Sequence, residues 1–235
     1  MIAVLKKELR SYFTGVIGYV FLVLFLAVAA AAFCYTTLFS LSADVSSYFT
    51  IMLILMGVML PVLTMKSFSE ERRMKTEQLL LTSPVSIPAI ILGKLLACYV
   101  IFAGALVFTS LYFIILTPYA TLNVAALIGN TVALLLVGLV FISCGIFVSA
   151  LSENQLSAAI GTMGIILGLL AIGVISSLLP TNFWLRYLLN SLSVFTRFQG
   201  FTNGYFDLAS VVYYLSVAGV FYYLTVRVYD RRRYN

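Results

Sequence analysis

The sequence predicts an all-α membrane protein with six transmembrane helices and both termini on the cytoplasmic side. Of its 235 residues, 63% are hydrophobic and only 9% charged, with a mean hydropathy of +1.10. A soluble domain carries about 25% charged residues. Apolar runs recur six times, each near or above the roughly 20 residues needed to cross the hydrocarbon. The few charges are grouped at the ends of those runs, most densely between Lys66 and Lys94. Residues 1–235 therefore read as one membrane domain, with no room for a separate ATP-binding or other catalytic domain.

Residues 1–14 read as a short amphipathic helix. Ile2, Leu5, Leu9 and Phe13 recur at helical spacing, and Lys6, Lys7, Glu8 and Arg10 lie on the other side. Such a helix lies in the interface plane with its basic face toward anionic headgroups. The run after it is too long for a signal-peptide core, and Phe33 before Cys34 is a poor cleavage context, so it is kept as a retained span. The spans run over Val16–Phe39, Tyr48–Met65, Ala89–Leu116, Val124–Leu151, Ala158–Leu179 and Leu208–Val226.

Orientation follows from the basic residues. With the N-terminus inside, only Arg186 and Arg197 of the 14 Lys and Arg residues fall outside, which fixes both termini as cytoplasmic. The net charge of +6 thus anchors spans and gives no nucleic-acid signal. Lys94, a short way into the third span, reads as a lysine snorkelling to the interface. The spans hold no other ionisable residue except at their ends, which argues against coupling to an ion gradient.

The sequence contains no histidine, so the commonest general base and any Ser-His-Asp arrangement are missing. Cys34, Cys98 and Cys144 fall inside apolar runs, match no metal-ligand spacing, and read as buried structural thiols. No catalytic or metal site is expected. On the fifth span Gly164 and Gly168 form a GxxxG pair beside Gly161 and Gly173. That pattern favours close helix packing, either within the chain or against a second copy.

The segment 66–88 carries the functional signal. Ser67-Phe-Ser-Glu70 has the form of a capping box. Glu71 and Lys75, and Arg73 and Glu77, are spaced to support a helix over Glu70–Leu81. Thr82-Ser83-Pro84 would stop it, and Pro88 suits the first turn of the next span with Ser86 as its cap. Leu79, Leu80 and Leu81 give the excursion an apolar tip. From the residues alone two readings stand: a lever seated in a partner's groove, or a solvated loop whose leucines return to the interface.

The stretch Glu70–Lys94 resembles the one between the second and third spans of type-2 ABC exporter permeases. Thr76, Glu77, Leu79, Leu80, Ser83, Pro84, Ser86, Gly93 and Lys94 occupy that family's pattern. Ser149–Ala159 and Phe195–Ser216, the latter with Phe198, Gly204 and Asp207, resemble segments of the gliding-motility-type branch. The resemblance implies an interfacial N-terminal helix and a cytoplasmic coupling helix contacting a separate ATPase subunit. It places Glu70, Glu71, Arg72, Arg73, Lys75, Thr76, Glu77, Leu79 and Leu80 on that contact surface. It also implies that the chain itself is not an enzyme and holds no cofactor, while the partner ATPase binds ATP and Mg. Two permease subunits, identical or different, would pair in a bacterial inner membrane. A membrane-anchored auxiliary protein with an extracytoplasmic domain often accompanies this branch. The connection 180–207 would contain short re-entrant helices, with Trp184, Tyr187, Phe195 and Phe198 as interface anchors or as the closed outer gate.

The expected function is export of an unnamed substrate driven by the partner's ATP hydrolysis. The alternatives are an ATP-driven, force-transmitting envelope complex with no cargo, and an ion-coupled carrier.

Overall fold

A computed structural model describes residues 2–40, 45–76, 85–116, 124–178, 183–202 and 207–234. All regular structure among them is helical. In chain order the helices are α1 (Ile2–Thr14), α2 (Val16–Phe33), α3 (Val45–Thr64), α4 (Lys66–Arg73), α5 (Ile87–Ser110) and α6 (Tyr112–Leu116). They continue with α7 (Val124–Leu151), α8 (Gln155–Leu178), α9 (Phe183–Leu192), α10 (Val194–Thr202) and α11 (Leu208–Tyr234). Six helical stretches are long and apolar enough to cross a membrane, each matching one expected run. The first, Val16–Leu38, ends in a π-helical turn at Cys34–Leu38.

The bundle is built around α7, which packs against α3, α4, α5, α8, α10 and α11. It is the most enclosed span, 67% buried against 22% for the last. Its small residues permit the close crossings: a β-carbon at Gly138 would overlap the Phe102 ring, and one at Gly145 the Thr64 side chain. Peripheral spans keep their apolar residues exposed, as lipid-facing helices must. Two of the expected buried thiols are buried, Cys98 and Cys144, whereas Cys34 is only half-buried near the end of its span.

The glycines of α8 divide into two groups. Gly161 lies against Val148, and Gly173 against Ser193 and Phe195. A β-carbon at Gly164 or Gly168 would have no neighbour within 4 Å among the described residues. The GxxxG face is therefore unused inside the described chain.

Both described ends of the chain lie at the end that carries the island. Phe68 of α4 stacks 4.6 Å from Tyr229 of α11, and the Tyr222 hydroxyl donates to the Pro88 carbonyl at 3.1 Å. Away from the island, α9 packs on α8, and α10 on α7, α8 and α11. There the Tyr214 hydroxyl donates to the Val194 carbonyl, the Arg197 Nε donates to the Ser191 carbonyl, and the Arg197 guanidinium stacks on Tyr213 at 4.4 Å. Asp207 caps α11: it accepts from the Ser210 hydroxyl and from the backbone N–H of Ala209 and Ser210, and these bonds, the hydroxyl's first, hold its carboxyl below the usual range. The expected aromatic anchors separate: Trp184 and Tyr187 are exposed, whereas Phe198 is fully buried and Phe195 packs against the core. Phe198 is thus a packing residue, because α10 folds back onto α7 and α8.

Candidate functional site

The island begins differently from the expected capping box. Met65 keeps helical dihedrals, so α4 continues the course of α3 and there is no fresh N-terminus for Ser67 to cap. The Ser67 hydroxyl is buried and has no hydrogen-bond partner among the described residues. Its expected role passes to Ser149 of α7, whose Oγ accepts from the backbone N–H of Phe68 at 3.1 Å and Ser69 at 3.2 Å. The same hydroxyl donates to the Met65 carbonyl at 3.2 Å. A hydroxyl on the central span thereby fixes the first turn of α4.

The helix also ends earlier than the expected Leu81. It closes after Arg73, with Met74 as C-cap and Lys75 in the left-handed region at φ 56°. Lys75 N–H donates to the Arg72 carbonyl at 3.1 Å, and Thr76 N–H to the Glu71 carbonyl at 2.9 Å. These are the two bonds of a Schellman closure, here made with a lysine where glycine is usual. The expected Glu71–Lys75 pair does not form, since the closure carries Lys75 off the helix. Glu77, Leu79 and Leu80 lie outside the described residues, as does the Arg73–Glu77 pairing. Ser86 stands at the N-cap of α5 with Pro88 in its first turn, but its side chain makes no capping bond.

The centre of the site is Lys94, and it does not snorkel. It is 1% exposed. Its ammonium lies 3.0 Å from Glu8 Oε1, 3.0 Å from Glu71 Oε1 and 2.7 Å from the Ser67 carbonyl. Three acceptors match the three N–H donors of an ammonium, and the Phe68 ring covers the group at 4.8 Å. With two carboxylates and a carbonyl at hand, the buried ammonium gains more by turning inward than by reaching headgroups. One side chain on α5 thus joins α1 to α4.

The preceding residue makes this contact possible. A β-carbon at Gly93 would press on Val4, so glycine there lets α1 lie against α5 and delivers Glu8 to Lys94. Glu8, expected on a headgroup-facing side, is consequently buried. Tyr12, one turn later, donates to the Leu63 carbonyl at 3.1 Å and lies 3.3 Å from Cys98 Sγ. Burial, with Cys98 and Glu8 adding to it, pushes its phenol well above the ordinary value. It therefore acts as a hydrogen-bond donor.

Other ion pairs complete the site. Lys7 approaches Glu71 at 3.8 Å, Lys66 approaches Glu70 at 3.5 Å, and Arg72 meets Glu153 at 2.7 Å while donating to the Leu151 carbonyl at 3.1 Å. Between α1 and α4 lies a cavity of about 510 Å³, lined by Lys7, Glu8, Lys66, Glu71 and Lys94 among others. Of the expected contact residues, Glu70, Glu71 and Arg72 turn toward their own chain. Arg73, Lys75 and Thr76 face outward. Among the described residues, the site's chemistry is that of ion pairs and hydrogen bonds tying α1, α4 and α5 together.

The family model of the "ABC-2 family transporter protein" matches residues 2–232. The chain belongs to the ABC-2 transporter family. No curated protein matches it. ABC-2 chains of this kind are the membrane subunits of ABC transporters, and the ATPase activity resides in a partner subunit. With six spans, this ABC-2 protein is a multi-pass protein of the inner membrane. The joint around Lys94 ties the segment that the resemblance assigns to coupling to α1 and α5, and Glu8 and Ser149 are members that local sequence did not reveal.

Proposed function

We propose that this chain is the permease subunit of an ATP-driven exporter, with the charged end cytoplasmic and α4 with its closing turn receiving the stroke of the ATPase subunit. The observation that carries the reading is the Lys94 joint, which ties α4 at once to α5 and α1. Displacement of α4 would then move the second and third spans and α1 as one body. The ATPase must bind one permease conformation better than the other for its hydrolysis to shift the balance. The contact surface proposed from the resemblance includes Arg73, Lys75, Thr76, Glu77, Leu79 and Leu80. Glu70, Glu71 and Arg72 would transmit the motion inward. The segments Ser149–Ala159 and Phe195–Ser216 support the gliding-motility-type branch and, with it, an auxiliary protein beyond α9 and α10.

The open glycine face of α8 is proposed as the surface for a second permease subunit. Gly164→Leu combined with Gly168→Leu is expected to leave the subunit's own fold unchanged while reducing inter-subunit crosslinking in the membrane. Close packing of small residues favours such contacts, and among the described residues a β-carbon at either position has no neighbour within 4 Å.

The test of the main reading is a tagged purification from native membranes in mild detergent. A stoichiometric ATP-binding subunit is the expected result. A homo-oligomer with no ATPase, persisting after crosslinking in the membrane, would overturn it.

A further inference from the structure

We propose that the surface of the ATPase subunit that meets this chain is acidic around an apolar pocket, and that α1 forms part of the docking face. This rests on the exporter reading and adds the chemistry of the partner. In sequence the island is mixed in sign. In the fold its charges are sorted.

Among the described residues, the carboxylates of α1 and the island are spent internally. Glu8 and Glu71 hold Lys94, Glu70 holds Lys66, and Glu153 holds Arg72. The cations Lys6, Arg10, Arg73 and Lys75 are exposed, and among the described residues none of them forms an ion pair. Lys7 is also largely exposed and reaches Glu71 only at 3.8 Å. The outward face of α1 and the α4 turn is therefore cationic. The two elements are contiguous, since Lys7 and Met74 line the same cavity.

The arrangement at the turn selects a protein over a lipid surface. Met74 is 65% exposed and stands between Arg73 and Lys75. The Schellman bonds hold all three on an ordered turn. An apolar anchor inside a charged rim is the anatomy of a protein interface. Headgroups would attract the cations but have no use for a thioether fixed at their centre. The complementary surface must supply carboxylates for the rim and a pocket for the methionine.

The experiment uses the copurified complex. Retention of the ATPase subunit on immobilised permease is measured against NaCl concentration for the wild type, R73E/K75E, K6E/R10E, M74D and K75G. Retention is expected to fall as salt rises. R73E/K75E and M74D are each expected to weaken it about tenfold or more, with K6E/R10E intermediate. K75G removes one cation while keeping the left-handed turn, so it should cost less than the double reversal. The altered side chains are exposed, and unchanged melting temperatures are expected to show that folding is intact. If the ATPase copurifies with the wild type but its retention ignores both salt and R73E/K75E, the acidic-surface inference fails and the exporter reading stands. If the variants lose bound anionic phospholipid while keeping the ATPase, the cations serve lipid and the inference also fails. Absence of any ATPase from the wild-type preparation would overturn the exporter reading itself.

Discussion

Lys94→Met is expected to destabilise the protein more than any other single substitution at the charged end. Removing the ammonium leaves the carboxylates of Glu8 and Glu71 facing each other without their common partner, and removes the bond to the Ser67 carbonyl. Breaking a buried pair by deleting one member typically costs about 3–5 kcal/mol. The loss should appear as a lower melting temperature in detergent and less monodisperse protein by size exclusion. The control is the triple variant Glu8→Gln, Glu71→Gln and Lys94→Met. It removes all three charges at similar volume, and neutral replacement of a buried ionic cluster is often tolerated. The triple variant is therefore expected to recover most of the lost stability while α1 and α4 lose their electrostatic tie. Restored melting with ATPase binding intact but hydrolysis no longer matched to transport would show that the joint transmits force. Full coupling in the triple variant would show that Lys94 serves stability alone.

The six spans were legible because hydropathy is a local property and a membrane imposes one length on every crossing. The joint was not, because its members are distant in sequence: Glu8 and Lys94 are 86 residues apart. Lys94 in an apolar run was visible as an anomaly, but whether it turns outward or inward depends on what the fold places beside it. Gly93 in front of it was the available signal that another helix comes close. The capping box failed for a related reason. The motif Ser67–Glu70 describes a helix that starts afresh, whereas α4 follows α3 with Met65 still helical. The early stop at Arg73 had no local sign, since a lysine in the left-handed region looks like any other lysine. The i, i+4 charge spacing was present, yet Glu71 gained more from a buried ammonium than from an exposed one in high dielectric.

The second large effect is expected from Ser149→Ala, a substitution remote from the island in sequence. The serine hydroxyl accepts from two backbone N–H groups and donates to one carbonyl where α3 passes into α4. Ser149 is 1% exposed and Ser69 fully buried, so water cannot replace the lost partner without repacking. Each buried group left unsatisfied costs about 1–3 kcal/mol. The Ser69 hydroxyl already bonds the Met65 carbonyl, which offsets part of the loss on the acceptor side. The expected outcome is faster hydrogen exchange over 66–73, with little change in α7 itself, because α7 remains packed by five other helices. Ser149→Thr keeps the hydroxyl and should restore slow exchange if the added methyl fits. Since Phe68 also stacks on Tyr229 and covers Lys94, loosening its backbone would weaken the joint from a second direction. Slow exchange retained across 66–73 in Ser149→Ala would mean that the Lys94 pairs alone hold α4 in place.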